Sequence, residues 1–404
     1  MSWIYLIITF IILSGIAIGH YPLLKMNRAT IALVGAVLLI SIGAIPLKQA
    51  YFSIDFDTIV LLFSMMVINV NLSLAGFFQI VAVKVGYWAK TPKQLLALIV
   101  LFSGLLSALF LNDTICIMFT PLILEIAIAL KRNPIPYLMG LATAANIGSS
   151  ATIIGNPQNM LIGIASKISF LEFMYMQLPV ALVGLFFVWI VIVLIYKNEF
   201  KKQNFTEKPD IKIRIYKPLL IKSIITTIIM IILFFAGVSI PLAALIGASS
   251  LLTTRRLKPH RVFREIDWSL LVFFSGLFII TGAINYIGLG DVFFNLLKPL
   301  SGENVASLSL ISVVLSNLIS NVPAVLLYLP IIPSFIDPHK AWLVLAMSST
   351  LAGNVTLLGS VANLIVAEAA KKRGVNLSFV EYLKAGLPIA VFSLLWGIVW
   401  FSIF

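Results

Sequence analysis

The sequence predicts an all-α polytopic membrane protein: two inverted repeats, about ten transmembrane helices, two re-entrant hairpins and two broken helices. Three observations predict it. The 404 residues are 61% hydrophobic and 11% charged, with a mean hydropathy of +1.09, whereas soluble domains carry about 25% charged residues. Apolar runs of membrane-spanning length recur along the whole chain. The polar stretch NIGSSATIIGNPQN at 146–159, set inside such a run, returns in reduced form as GNVTLLGSVAN at 353–363.

The first apolar run, 3–18, lacks a basic leader and an evident small-residue cleavage site, so it reads as a retained helix and not a secretion signal. Further runs cover 30–46, 57–83, 95–130, 135–166, 172–196, 219–237, 239–254, 267–288, 303–336, 341–368 and 379–403. One crossing needs about 20 residues, and several runs match it. Runs 95–130 and 303–336 do not. Polar residues interrupt each midway, Asn112-Asp113-Thr114 in one and Ser320-Asn321-Val322-Pro323 in the other. An arm of roughly 15 residues rises about 22 Å, which reaches the middle of a ~30 Å hydrocarbon core and not its far side. Each therefore reads as a re-entrant hairpin. Runs 135–166 and 341–368 hold the two polar stretches. Unwound polar backbone at bilayer depth survives only where protein buries it or where it lines a cavity, so these runs read as broken helices and as the first place to seek a substrate or ion site.

Charge gives the orientation. With ten crossings and two hairpins, 24 of the 28 Lys and Arg residues fall on one side, and only Lys48, Lys167, Lys298 and Lys340 on the other. The positive-inside rule makes the crowded side cytoplasmic and puts both termini outside. The sequence pI of 9.7 thus reflects cytoplasmic loops, and nucleic-acid binding is excluded. The single cysteine, Cys116, excludes an internal disulfide, and His20, His260 and His339 lack metal-ligand spacing, so no metal site is read from them.

The halves match from end to end. IALVGAVLL at 31–39 matches AALIGASSL at 243–251, and Asp57 falls near Asp267. LSALFLNDTICIMFTP at 106–121 matches LSNLISNVPAVLLYLP at 315–330; Thr152, Gly155 and Asn159 fall on Thr356, Gly359 and Asn363; SFLEF at 169–173 returns as SFVEY at 378–382. Five crossings per half is an odd number, so the halves insert with opposite orientation, and inverted repeats place their site near the midplane where they meet. The expected division is a first repeat at 1–197, a charged cytoplasmic linker at 198–217 and a second repeat at 218–404.

The segments NDTICIMFTP, NIGSSATIIGNPQN and SNVPAVLLYLP resemble the arsenite, citrate and sodium/proton antiporter branch of the ion transporter superfamily, which also contains the divalent anion/sodium symporters. The resemblance covers essentially the whole chain. It implies a scaffold that forms a homodimer and a transport domain of two hairpins and two broken helices that moves across the bilayer as an elevator. Many relatives carry Asp where this chain has Asn156, in a GDPPN-like motif that here reads GNPQN, which tells against cation antiport.

The candidate substrate- and ion-binding residues are Asn112, Asp113, Thr114, Asn146, Ser149, Ser150, Thr152, Asn156 and Asn159 in the first half, and Ser320, Asn321, Asn354, Thr356, Ser360 and Asn363 in the second. Half-helix N-termini offer N–H groups to anions, half-helix C-termini offer carbonyls to cations, and amides serve either. For a single Ser or Thr the competing reading is a bond back to its own helix. Asp113 is the one carboxylate expected at the midplane, where it should be protonated, cation-bound or facing water; its counterpart is Val322. Asp57 and Asp267 read as helix starts, and Glu125 and Glu368 as solvated or locally paired charges.

No Lys or Arg is expected at the midplane, so an anion would be held by helix N-termini, amides and a co-bound cation. Uptake of a dianion against a 100 mV negative interior opposes ~4.6 kcal/mol and needs co-transported cations. The leading expectation is a secondary active transporter of a small inorganic or organic anion, arsenite- or citrate/dicarboxylate-like, or of neutral arsenite acid. A sodium/proton antiporter and an ion channel are the alternatives. With neither a nucleotide-binding motif nor a catalytic pair, no enzyme is expected. No cofactor is expected beyond coupling sodium, at the hairpin tips, or protons; the expected surroundings are a cell membrane and its lipid bilayer.

Overall fold

A computed structural model describes residues 2–21, 24–201, 204–205, 211, 213–253, 258–288 and 304–404. Arg255, Arg256, Lys298, several linker lysines and residue 303 at the start of the second hairpin lie outside the described residues. The described chain is nearly all-helical; one short antiparallel pair, β1 (His20–Tyr21) with β2 (Leu24–Asn27), joins the first two helices.

The first half contains α1 (Ser2–Ile18), α2 (Arg28–Ser41), α3 (Leu47–Phe52), α4 (Phe56–Ala75), α5 (Phe77–Trp88), α6 (Pro92–Leu109), α7 (Asn112–Ala129), α8 (Pro134–Ser149), α9 (Pro157–Ser166) and α10 (Phe170–Ile195). After the short α11 (Lys197–Phe200) come α12 (Lys217–Phe235), α13 (Ile240–Leu252), α14 (Pro259–Arg264), α15 (Trp268–Tyr286), α16 (Val305–Ile319), α17 (Asn321–Tyr328), α18 (Pro338–Ala352), α19 (Val361–Lys371) and α20 (Phe379–Ile403). Seven of these, α4, α6, α7, α10, α12, α15 and α20, are long and apolar enough to cross a membrane, and five more are shorter apolar helices.

Helix starts follow local chemistry. Thr91 caps α6 by accepting from the Gln94 N–H, with Pro92 at the first helical position. Asp267 caps α15 by accepting from Leu270. In the first half Asp55, not Asp57, does the equivalent work for α4, accepting from Thr58. Run 57–83, expected as one crossing, is divided at Gly76, whose φ of +87° ends α4 and turns the chain into α5.

The helices break near both expected tips, and the arms differ between the two hairpins. In the first, Phe110 and Leu111 separate arms of 18 residues each, longer than the sequence suggested. In the second, Ser320, at φ +77°, separates arms of 15 and 8 residues. The short arm ends before Pro330 and Pro333, which cannot continue a helix.

Packing repeats between the halves. Arm α6 lies on α8, and arm α16 lies on α18. Arm α7 crosses to pack on α19, and arm α17 crosses to pack on α9. Away from the breaks, α2 packs on α15 and α4 on α13. Helix α8 is buried at nearly every position, as is α18, so the broken helices form the centre of the molecule. Gly148 permits the α6–α8 contact: a Cβ there would stand 2.2 Å from the Gly104 carbonyl oxygen.

Candidate functional site

The two helix breaks are held by matching asparagines. Asn159 donates both amide protons to backbone, to the carbonyls of Ser149 (3.2 Å) and Thr152 (3.0 Å). Asn363 does the same to Gly353 (2.7 Å) and Thr356 (3.2 Å), the counterparts of Ser149 and Thr152 in the repeat match. An unwound turn in apolar surroundings leaves carbonyls bare, and each amide closes its own turn. The side-chain oxygens then reach across the halves. Asn159 accepts from the Thr350 hydroxyl at 3.2 Å, and Asn363 accepts from the Asn146 amide at 3.0 Å.

Asn146 is the hub. It donates to the Asn354 and Asn363 oxygens (2.9 and 3.0 Å) and accepts from the Asn112 amide (3.2 Å) and the Ser360 hydroxyl (3.0 Å). Its side chain therefore joins the tip of the first hairpin to both ends of the second break. All five of these residues are 8% exposed or less. Asn354 in turn donates to the Thr143 carbonyl, and the Asn112 N–H donates to the Gly155 carbonyl at 3.1 Å.

Asn156 caps α9 by accepting from the Asn159 N–H (2.9 Å) and donates to the hydroxyls of Ser149 (2.9 Å) and Thr350 (3.2 Å). An aspartate here could accept but not donate, so the asparagine fits this network. Ser360 caps α19 through the Ala362 N–H. Ser149 and Ser150 bond back to their own helix, to the Asn146 and Ile147 carbonyls, both at 2.7 Å. The Ser150 hydroxyl makes no other hydrogen bond among the described residues, which matches the local reading of it.

The hairpins attach to the breaks differently. Thr152 donates to the Ala108 carbonyl on α6. Its counterpart Thr356 donates to the Asn317 side-chain oxygen at 3.3 Å, and Asn317 donates on to the Ala352 carbonyl. Ser320 forms the tip of the second hairpin, and beside it the Asn321 side-chain oxygen is buried with no partner among the described residues.

Asp113 and Thr114 face elsewhere. Both line a cavity of about 230 Å³ between α4, α7, the start of α9 and the segment joining α14 to α15. Asn69 on α4 donates to Thr114 at 3.3 Å across it, and Ser73 and Met118, bonded at 3.0 Å, also line it. Glu265 and Asp267, both exposed, complete the lining, and no Lys, Arg or His contributes. Apart from the second hairpin tip, the candidate residues thus fall in two places: a closed amide network where the breaks cross, and a largely apolar cavity with three carboxylates on the other face of the first hairpin.

Sequence reasoning missed Thr350, Asn317 and Asn69. Asn69 and Ser73 stand four residues apart, on one face of a helix, within an otherwise apolar run; that spacing was the available signal. Thr350 sits opposite Asn146 in the repeat match and could have been found by extending it. Glu125 is paired locally, to Arg373 at 2.9 Å, on partly exposed side chains.

The profile of the citrate transporter family (CitMHS) matches residues 5–346. The chain belongs to this family. Among curated relatives, the silicon efflux transporter of Oryza sativa subsp. japonica is 32% identical, the match covering 91% of this chain and 90% of that one. A transporter named arsB in Dictyostelium discoideum is 26% identical, over 95% and 88% of the two chains. The crystal structure of the Alcanivorax borkumensis YdaH transporter shares the fold, with a TM-score of 0.64 at 15% identity over 100% of this chain and 97% of that one. This member of the citrate transporter family is accordingly a multi-pass membrane transporter, not an enzyme, and acts on a small molecule in a lipid bilayer.

Proposed function

We propose that this citrate transporter family member is a secondary active transporter of a small oxyacid, taken as an inorganic or organic anion or as the neutral acid form of arsenite. The observation that carries the reading is the Asn146 hub, where both broken helices and the first hairpin tip meet through amides and hydroxyls without one charged side chain. Amides donate and accept, so they suit a small hydroxylated acid or a singly charged oxyanion; a free tricarboxylate would meet no basic residue there. The names of the silicon efflux and arsB relatives favour the inorganic end of that range.

The amide bonds of the network are satisfied internally, so substrate enters by exchanging partners with Asn112, Asn354 or Asn363 when the hairpins shift. Under this reading α6–α9 and α16–α19 form the moving elevator domain, the helices around α2, α4, α13 and α15 form the dimer scaffold, the halves are inverted repeats, and both termini lie outside. The remaining candidates, Ser149, Thr152, Asn156, Asn159, Thr356 and Ser360, then shape the breaks that hold the substrate, with Ser320 and Asn321 at the second tip.

Purified protein in proteoliposomes, offered radiolabelled arsenite, citrate and phosphate under imposed sodium, proton and potential gradients, tests the reading. Saturable uptake with counterflow for one oxyacid is expected. Flux that rises without saturation would identify a channel, and sodium/proton exchange with no oxyacid flux would identify the antiporter, for which the carboxylates lining the cavity are the one favourable observation.

A further inference from the structure

The two halves differ chemically beside the amide network. SFLEF at 169–173 and SFVEY at 378–382 set Phe173 opposite Tyr382, and four residues further on they set Gln177 opposite Gly386. Both rings are fully buried. Phe173 has no polar atom to offer, and Gln177 spends its amide on the Leu343 carbonyl at 2.7 Å. In the second half the glycine makes room for the ring: a Cβ on Gly386 would stand 2.5 Å from Tyr382 Cε1 and 2.8 Å from the Asn354 carbonyl oxygen. The phenol hydroxyl admitted there reaches the Asn354 side-chain oxygen only at 3.5 Å, against about 2.7–2.8 Å for a formed O–H···O bond. A buried phenol ordinarily has a closer partner. The Asn363 amide also stands beside the hydroxyl, but its protons are spent on the Gly353 and Thr356 carbonyls. Tyr382 is thus an under-used donor beside an acceptor that Asn146 already holds at 2.9 Å.

We propose that Tyr382 is a positioning residue for the substrate: its hydroxyl takes over the Asn354 oxygen when Asn146 turns its amide to a bound oxyacid. The inference rests on the proposed function and says which bond of the network opens. Both amide protons of Asn146 are in use, on Asn354 and Asn363, so an oxyacid oxygen can claim one only by stripping an acceptor. A buried acceptor that loses its donor is penalised, and Asn354 has a second donor at hand that needs only to close to ordinary bond length. The first break has no such stand-in, because the residue matched to Tyr382 is Phe173. Exchange is therefore confined to the second-half side of the hub, where Asn354, Asn363 and Ser360 meet Asn146. The hydroxyl acts once substrate is bound, so it sets affinity and leaves the rate of the loaded carrier alone.

The test compares the wild type with Tyr382→Phe, each as the full chain in proteoliposomes, on uptake of radiolabelled arsenite, phosphate and citrate. Phenylalanine already fills the matched, fully buried position at 173, so the variant keeps the ring and its packing. A rise of about two- to tenfold in KM is expected, the range that one hydrogen bond supplies, with maximal rate and melting temperature close to wild type. Tyr196→Phe is the control: it removes a phenol that donates to Glu381 at 2.7 Å, away from the network, and should leave KM unchanged. Unchanged KM in Tyr382→Phe overturns the inference, and so does an equal rise in Tyr196→Phe. Early melting or loss of folded protein without a change in KM makes the hydroxyl a packing group and overturns it as well. A wild type that takes up none of the three solutes sinks the oxyacid reading and this inference with it, whereas wild-type uptake with an unaffected variant sinks the inference alone.

Discussion

Asn159 and Asn363 each give both amide protons to carbonyls of an unwound turn. Leucine at Asn159 leaves the Thr152 carbonyl bare and leucine at Asn363 the Gly353 carbonyl, a loss of about 1–3 kcal/mol each, while the Ser149 and Thr356 carbonyls keep the Asn156 amide and the Gly359 N–H. Each single variant should therefore melt earlier in detergent, followed by fluorescence-detected size exclusion, and should have no transport; unchanged melting would mean the turns do not depend on these amides. Asp113 makes a second residue-scale case. Asp113→Asn preserves size and hydrogen bonding, so substrate exchange should persist while gradient-driven uptake is lost. Assaying both fluxes side by side checks it, and full gradient-driven uptake would reduce Asp113 to a helix-start residue. The sequence located Asn159 and Asn363, because polar residues in an apolar run stand out. It did not show that their side-chain oxygens accept from Thr350 and Asn146, since partners 191 and 217 residues away in the chain leave no local trace.

At the scale of elements, the breaks and the close contact between α6 and α8 depend on glycine. A Cβ on Gly155 would stand 2.3 Å from the Ser149 carbonyl oxygen, and one on Gly148 2.2 Å from that of Gly104. Backbone cannot yield as a flexible side chain does, so Gly148→Ala and Gly155→Ala should lower folded yield strongly, by more than the 1–3 kcal/mol typical of overpacking. Gly247→Ala is the control: its nearest neighbour would be Ile68 at 3.4 Å, ordinary contact, and its melting should stay close to wild type. Element-scale legibility was uneven for a physical reason. Polar interruptions marked both hairpin tips and both breaks to within a few residues. The turn at Gly76 escaped, because a glycine between apolar residues barely alters hydropathy while its positive φ alone ends α4. The short second arm of the second hairpin was readable in Pro330 and Pro333, which the count of apolar residues hid.

For the whole molecule, the crossing of α7 onto α19 and of α17 onto α9 ties the hairpins of each half to the break of the other. If those elements move together, Cys116, fully buried on α7, is their native reporter. Its reaction with a small membrane-impermeant thiol reagent should be slow at rest and should change in rate, severalfold, when a transported oxyacid is added. A rate indifferent to every transported ligand would tell against hairpins that move. The architecture as a whole was visible in the recurrence of polar motifs between the halves; what was not visible is that the halves interlock.

That interlocking has a consequence for biogenesis. Asn159 is completed by Thr350 and Asn363 by Asn146, so the first break lacks its partner until about 190 further residues have been made. At roughly 5–20 residues per second the nascent first half waits on the order of 10–40 seconds with an open polar turn among apolar helices. Through that interval the turn has to be covered by water, by lipid head groups or by the insertion machinery, and a ribosome that stalls between the halves leaves a membrane-embedded fragment that no folding of its own can finish.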